Sequence, residues 1–155
     1  MQNSYWVNDV FHQEIDGVLR RQEPSGDGVR RCWYANGVLE KEWERKSGKV
    51  EGVLREWHDN GKIARETPYV NGVVHGRVKQ WNREGVLLGE YEMKMGQGVR
   101  RQWNENGSPS LEMEQVTSNA IKGRVWDDLG KAWEVFLWNG KPIAKKKFYE
   151  RVARE

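Results

Sequence analysis

Short stretches of alternating apolar and polar residues come in pairs along this chain, and each pair flanks a turn-forming tetrapeptide. Residues 52–57 (Gly-Val-Leu-Arg-Glu-Trp) and 62–67 (Lys-Ile-Ala-Arg-Glu-Thr) flank His58-Asp59-Asn60-Gly61. Period-two alternation bounded by turn residues predicts the two antiparallel strands of a hairpin. The pattern recurs. Trp33, Trp57, Trp81, Trp103 and Trp126 are separated by steps of 24, 24, 22 and 23 residues, and Gly37, Gly61, Gly85, Gly107 and Gly130 each follow four residues later. Gly28, Gly52, Gly76 and Gly98 precede the first four by five residues, and Gly123 is a shifted fifth. A fixed period of about 20 to 50 residues marks a repeat array, which presents surface.

Asn-Gly in three of these tetrapeptides fits a two-residue turn, but Glu84 and Leu129 resist the positive φ such a turn requires before its glycine. A three-residue loop, a type I turn closed by a left-handed glycine, accommodates all five copies. It places Trp57 opposite Ile63. Alternation then puts Val53, Arg55, Arg65 and Thr67 on their face and Leu54, Glu56, Ala64 and Glu66 on the other. Stacked hairpins align a tryptophan column and, two residues earlier, a basic column of Arg31, Arg55, Lys79, Arg101 and Arg124. A third column of Trp43, Thr67, Tyr91, Met113 and Phe136 is expected beside them. Glu42, Glu66, Glu90 and Glu112 form an acidic column that breaks at Val135 and is expected on the opposite face.

Ser47-Gly48, Asn71-Gly72, Gly96 and Ser118-Asn119 connect successive hairpins, and residues 11–23 read as a degenerate first hairpin around Gly17. In the tail, Pro142 suits a first helical turn, and Ala144, Phe148 and Val152 recur at four-residue steps. Residues 141–154 therefore predict an amphipathic helix covering the open sheet edge. The fold expected is mainly β: an elongated antiparallel meander of five to six hairpins with a short C-terminal capping helix. It forms a single repeat domain over 1–155, with an N-terminal cap at 1–27, hairpins at 28–140 and the helix at 141–155.

Composition supports a thin architecture, since 37% of the 155 residues are hydrophobic and 32% charged. A net charge of +3 does not by itself point to nucleic acid. The lone Cys32 excludes an internal disulfide and suits a reducing compartment. The chain has no apolar run long enough to span a bilayer and no leader-like start, so a cytoplasmic protein is expected. His12, His58 and His75 lack metal-ligand spacing, and Ser25-Gly26-Asp27-Gly28 lacks the lysine and hydroxyl residue of a phosphate loop. The recurring glutamates read as a solvated face rather than a catalytic pair. No enzyme, cofactor or metal site is expected.

The pattern Gly-x-x-x-x-Trp/Tyr-x-x-x-Gly-x-Leu-x-x-Glu, with copies beginning at Gly28, Gly52, Gly76 and Gly98 and a diverged one at Gly123, resembles the bacterial variant of the MORN repeat (membrane occupation and recognition nexus). The repeat here is longer than the eukaryotic one and is built on tryptophan. The resemblance implies a hairpin array that binds diverse partners, with some members labelled antitoxin-like. Eukaryotic relatives are linked to acidic phospholipids and protein scaffolding.

The surface expected to bind is the aromatic-basic face: Arg31, Trp33, Arg55, Trp57, Lys79, Trp81, Arg101, Trp103, Arg124 and Trp126. Tryptophan and arginine are enriched in interface hot spots. The same columns also serve as stacking residues, with each base over an indole. Two functional classes follow. In the first, the chain is a protein-binding adaptor, or the neutralising partner of a toxin or effector, and its partner is a partly acidic protein. In the alternative it binds a polyanion, single-stranded nucleic acid or acidic lipid, through stacking and phosphate pairing.

Overall fold

The computed structural model describes the backbone of residues 4–7, 10–15 and 18–21 and the whole of residues 26–155. Three N-terminal strands, β1 (Ser4–Val7), β2 (Val10–Ile15) and β3 (Val18–Arg21), form one antiparallel sheet. Ile15 stands opposite Val18, and the expected turn residue Gly17 lies outside the described residues. A second sheet runs β10-β9-β7-β6-β5-β4, with β8 beside β7. Its strands are β4 (Gly28–Trp33), β5 (Leu39–Lys46), β6 (Lys49–Trp57), β7 (Ile63–Val70), β8 (Val73–Val74), β9 (Gly76–Trp81) and β10 (Leu87–Met93). A third contains β11 (Val99–Trp103), β12 (Pro109–Gln115), β13 (Ala120–Trp126), β14 (Ala132–Trp138) and β15 (Lys141–Pro142) in sequence order. The helix α1 (Lys145–Val152) follows. The fold is the expected mainly-β meander with a short C-terminal helix, but the meander is divided between β10 and β11.

The tryptophan turns take the expected three-residue form. Gly61 donates its N–H to His58 O at 2.9 Å and has φ +83°, and Gly37, Gly85, Gly107 and Gly130 are left-handed as well. At the opposite ends of the strands lie two-residue turns with positive φ at both positions: Ser47-Gly48, Asn71-Gly72, Met95-Gly96 and Asn139-Gly140. Trp57 faces Ile63 as expected.

One irregularity overturns the expected faces. After each of the first four tryptophan turns the returning strand carries one extra residue: Glu40, Ala64, Leu88 and Ser110 have no cross-strand partner. The alternation beyond that bulge is inverted. Arg55 therefore faces Glu66, and Glu56 faces Arg65. Without the bulge, Arg55 would oppose Arg65 and Glu66 would oppose Leu54, a like-charge pair and a carboxylate set against an apolar side chain. The fifth hairpin has its glutamate one residue earlier, at Glu134, and there Arg124 meets it with no bulge. Charge pairing thus selects the bulge where the spacing demands one and omits it where it does not.

Consequently the acidic column does not occupy a face of its own but shares the face of the basic column. Arg65 and Thr67 leave the Trp57 face, and so do Trp43, Tyr91 and Met113, whose partners Arg30, Val78 and Arg100 point to the other side. Phe136 alone of that column stays, because its hairpin lacks the bulge.

The two larger sheets meet through side chains. Gln80 donates to Trp103 O at 2.9 Å, and the Trp103 ring lies on Gly89, where an added Cβ would stand 2.3 Å from it. The turns are also linked: Asn36 donates to Asp59 O at 3.0 Å and Asn60 to Arg83 O at 2.8 Å. The core is thin. Val78 and Met93 are buried on the tyrosine-bearing side, and Ala120, Phe136 and Phe148 form a cluster under the helix.

The helix is shorter than expected. Lys141 and Pro142 pair with β14 as an edge strand, where a missing N–H is tolerated, and the helix begins after Ala144. It covers a face rather than an edge, with Phe148 against Phe136 at 5.2 Å between ring centroids and Val152 in the same cluster as Trp138.

Two stability outcomes are expected. Gly61→Val should lower unfolding free energy by about 1–2 kcal/mol, because a β-branched residue is forced into the left-handed region. Phe148→Ala should cost about 3–5 kcal/mol by emptying the cluster beneath the helix. Urea denaturation measures both, and an unchanged midpoint for Gly61→Val contradicts the turn assignment.

Candidate functional site

The two faces of the array have opposite character. On the first, the bulged register lays one row of side chains across six strands: Arg31, Glu42, Arg55, Glu66, Lys79 and Glu90, each directly opposite the next. The third sheet repeats it with Arg101, Glu112, Arg124 and Glu134, and Lys145 from α1 closes the row. Contacts are short: Arg31–Glu42 2.6 Å, Arg55–Glu66 3.1 Å, Arg101–Glu112 3.1 Å, Arg124–Glu112 2.8 Å and Lys145–Glu134 2.8 Å. Glu90 takes Arg77 at 3.1 Å. Hydrogen bonds from Arg124 and Arg101 hold the Glu112 carboxyl below its ordinary range, and the hydrogen bond to Glu134 raises Lys145.

The sequence-predicted site residues are thus brought together on one face, but their bases are interleaved with carboxylates. The five tryptophans of the column are half-buried. Arg124 lies over Trp126 at 5.4 Å, the cation–π arrangement expected of a stacking residue.

The other face curves into a groove of about 580 Å³ that spans both larger sheets. Tyr69, Tyr91, Leu54, Leu111, Met113 and Ile121 supply its apolar and aromatic lining. Its one lining carboxylate among the described residues, Glu56, is held by Lys41 at 2.9 Å. Arg65 donates only to the Gln80 amide oxygen, at 3.1 Å, and Arg100 is exposed; neither makes an ion pair among the described residues. Burial raises the Tyr91 phenol above its ordinary value, so its hydroxyl remains a neutral donor through the physiological range. Sequence reasoning missed this site because it depends on the inverted alternation. The signal was present: Glu42, Glu66, Glu90 and Glu112 each follow their tryptophan by nine residues and Glu134 by eight.

Among the described residues no group of three or more His, Cys, Asp or Glu is placed to hold a metal ion, and no helix is long and apolar enough to cross a membrane. His58 serves the array by bonding to Trp81 O at 3.0 Å.

The ladder makes stability depend on pH in a definite sense. Glu112 titrates lower when folded than its ordinary 4.5, so its contribution is full above that value and is lost as pH falls through the folded pKa. Glu112→Gln should therefore lower the melting temperature most near neutral pH, and the gap to wild type should close as pH is taken below about 4.5. A gap independent of pH would show that the carboxylate acts only by packing.

Residues 26–47 and 50–71 each match the family model described as MORN repeat variant, and each match covers one hairpin, β4–β5 and β6–β7. No curated protein and no solved structure matches the chain. MORN repeats generally mediate binding to proteins or membrane lipids and are not typically catalytic. Repeat period, hairpin geometry and these two matched segments together support a MORN-repeat protein.

Proposed function

We propose that the chain is a non-enzymatic protein-binding module, a cytoplasmic bacterial adaptor or the neutralising partner of a toxin or effector, and that it holds an acidic, partly apolar segment of its partner in the tyrosine-lined groove. One observation carries this reading. Arg65 and Arg100 face the groove without an ion pair among the described residues, since Glu56, opposite Arg65, is held by Lys41, whereas most bases of the opposite face are already matched by the glutamate ladder. Tyrosine and arginine with an apolar floor are the residue types that dominate interface energetics. Arginine also pairs with carboxylates through two parallel hydrogen bonds, which favours an acidic partner segment.

The aromatic-basic set Arg31, Trp33, Arg55, Trp57, Lys79, Trp81, Arg101, Trp103, Arg124 and Trp126 is the competing surface. A partner docking there would have to displace intramolecular ion pairs, so in this reading those residues serve the array and the groove serves the partner.

The test uses the partner purified from the native host and titrated calorimetrically against folded variants. Tyr91→Ala and Arg100→Glu should each weaken binding by about 2 kcal/mol or more, the hot-spot range. Arg55→Glu and Lys79→Glu should leave affinity near wild type. The reverse pattern returns the site to the aromatic-basic face. Affinity that collapses with added salt, together with competition by single-stranded oligonucleotide, would favour the polyanion alternative.

A further inference from the structure

The charge of this chain is distributed unevenly. Residues 141–154 contain six bases and one acid, a surplus of five, so the remainder of a chain of net charge +3 is net −2. The whole positive excess therefore resides in β15 and α1.

Part of that excess converges. Lys141 from β15 and Lys147 and Arg151 from α1 line a concavity of about 340 Å³ whose wall is Trp138 and whose rim includes Asn139. Among the described residues no carboxylate lines it. Arg151 lies over the Trp138 ring at 5.4 Å, which fixes the guanidinium without neutralising it. Glu150, which precedes Arg151 in sequence, is exposed and does not line the concavity, and the next acids along the chain are engaged elsewhere. Glu134 is bound by Lys145 at 2.8 Å, and Glu155 accepts from Asn119 at 2.5 Å. Lys141 and Lys147 make no ion pair among the described residues.

We infer that this concavity is a binding site for a phosphate group, formed by Lys141, Lys147 and Arg151 against Trp138. Three like charges drawn together without a counter-charge repel one another, and a multivalent oxyanion relieves that repulsion while accepting a hydrogen bond from each cation. Arginine fits two phosphate oxygens at once, and the two lysines act as point charges. The contrast with the rest of the protein is direct. Along the ladder, Arg31, Arg55, Arg101, Arg124 and Lys145 each have a glutamate within 3.1 Å, whereas this cluster has none among the described residues. The site lies apart from the tyrosine-lined groove and does not depend on the groove having a protein partner.

The experiment titrates the full chain with pyrophosphate at physiological ionic strength, following heat and Trp fluorescence. Saturable one-to-one binding is expected. Lys147→Glu and Lys141→Glu, both on exposed side chains, should weaken it about tenfold or more, roughly 1.4 kcal/mol each. Lys94→Glu, an exposed charge reversal remote in sequence, should leave it unchanged. Equal weakening by Lys94→Glu reduces the effect to net charge and overturns the site, as does the absence of saturable binding. A second arm uses phosphatidylcholine vesicles with and without phosphatidylglycerol to separate a lipid headgroup from a free phosphate source. Vesicle binding that pyrophosphate displaces and Lys147→Glu abolishes assigns the phosphate to a headgroup. Vesicle binding indifferent to both overturns the site.

Discussion

Cross-strand charge pairing after each tryptophan turn is the constraint on which the rest of this structure depends. Two hairpin strands leaving a three-residue turn can continue in either of two phases, and the phase decides which side chains share a face. In the first four hairpins an extra residue, Glu40, Ala64, Leu88 or Ser110, shifts the phase so that Arg31, Arg55, Lys79 and Arg101 meet glutamates. In the fifth the glutamate stands one position earlier and the bulge disappears. Each half-exposed pair contributes only about 0.2–1 kcal/mol. Their larger effect is on register, because the alternative phase sets Arg31 against Lys41 and Arg55 against Arg65.

From that choice follow both surfaces. The charged face becomes a row of alternating sign, electrically quiet and laterally cross-linked. The other face receives what the bulge diverts to it, Arg65, Thr67, Tyr91 and Met113, and there the array curves into a groove. Thr67, Val78 and Met93 are buried on that side, so the groove floor and the core of the second sheet are continuous. Where the bulge is absent, Phe136 stays on the charged face. An apolar ring at the end of a charge ladder needs a cover, and α1 supplies it through Phe148 and Tyr149. The helix is thus the counterpart of the missing fifth bulge.

A single-layer array cannot rely on a large core, and its cohesion comes from repeated small links. Side chains of one repeat satisfy backbone groups of the next: Tyr34 donates to Trp57 O at 2.7 Å, His58 bonds to Trp81 O at 3.0 Å and Gln80 donates to Trp103 O at 2.9 Å. Asp27 accepts from Ser47 and Gly48 in the turn at the other end of the strands, which also lowers its pKa. Such nearest-neighbour links suit a repeat protein, whose stability is approximately the sum of its units and their interfaces.

The sequence by itself determined the repeat, the hairpins, the turn type and the partner of each tryptophan. All of these depend on residues within about ten positions of one another: a glycine that tolerates positive φ, a fixed spacing and local alternation. It also determined that a helix ends the chain, although not where, since Pro142 suits an edge strand as well as a first helical turn. The tertiary structure decided which face each column occupies, where the meander divides and what the helix covers. Those outcomes turn on a one-residue slip whose energy comes from pairing across strands. Strict alternation read along a single strand is blind to such a slip, even though the glutamate spacing, nine residues in four hairpins and eight in the fifth, had encoded it. The two sets of bases without an ion pair among the described residues, Arg65 with Arg100 and Lys141 with Lys147 and Arg151, are likewise tertiary facts, because a base is known to lack an ion pair only once every neighbouring strand is in place.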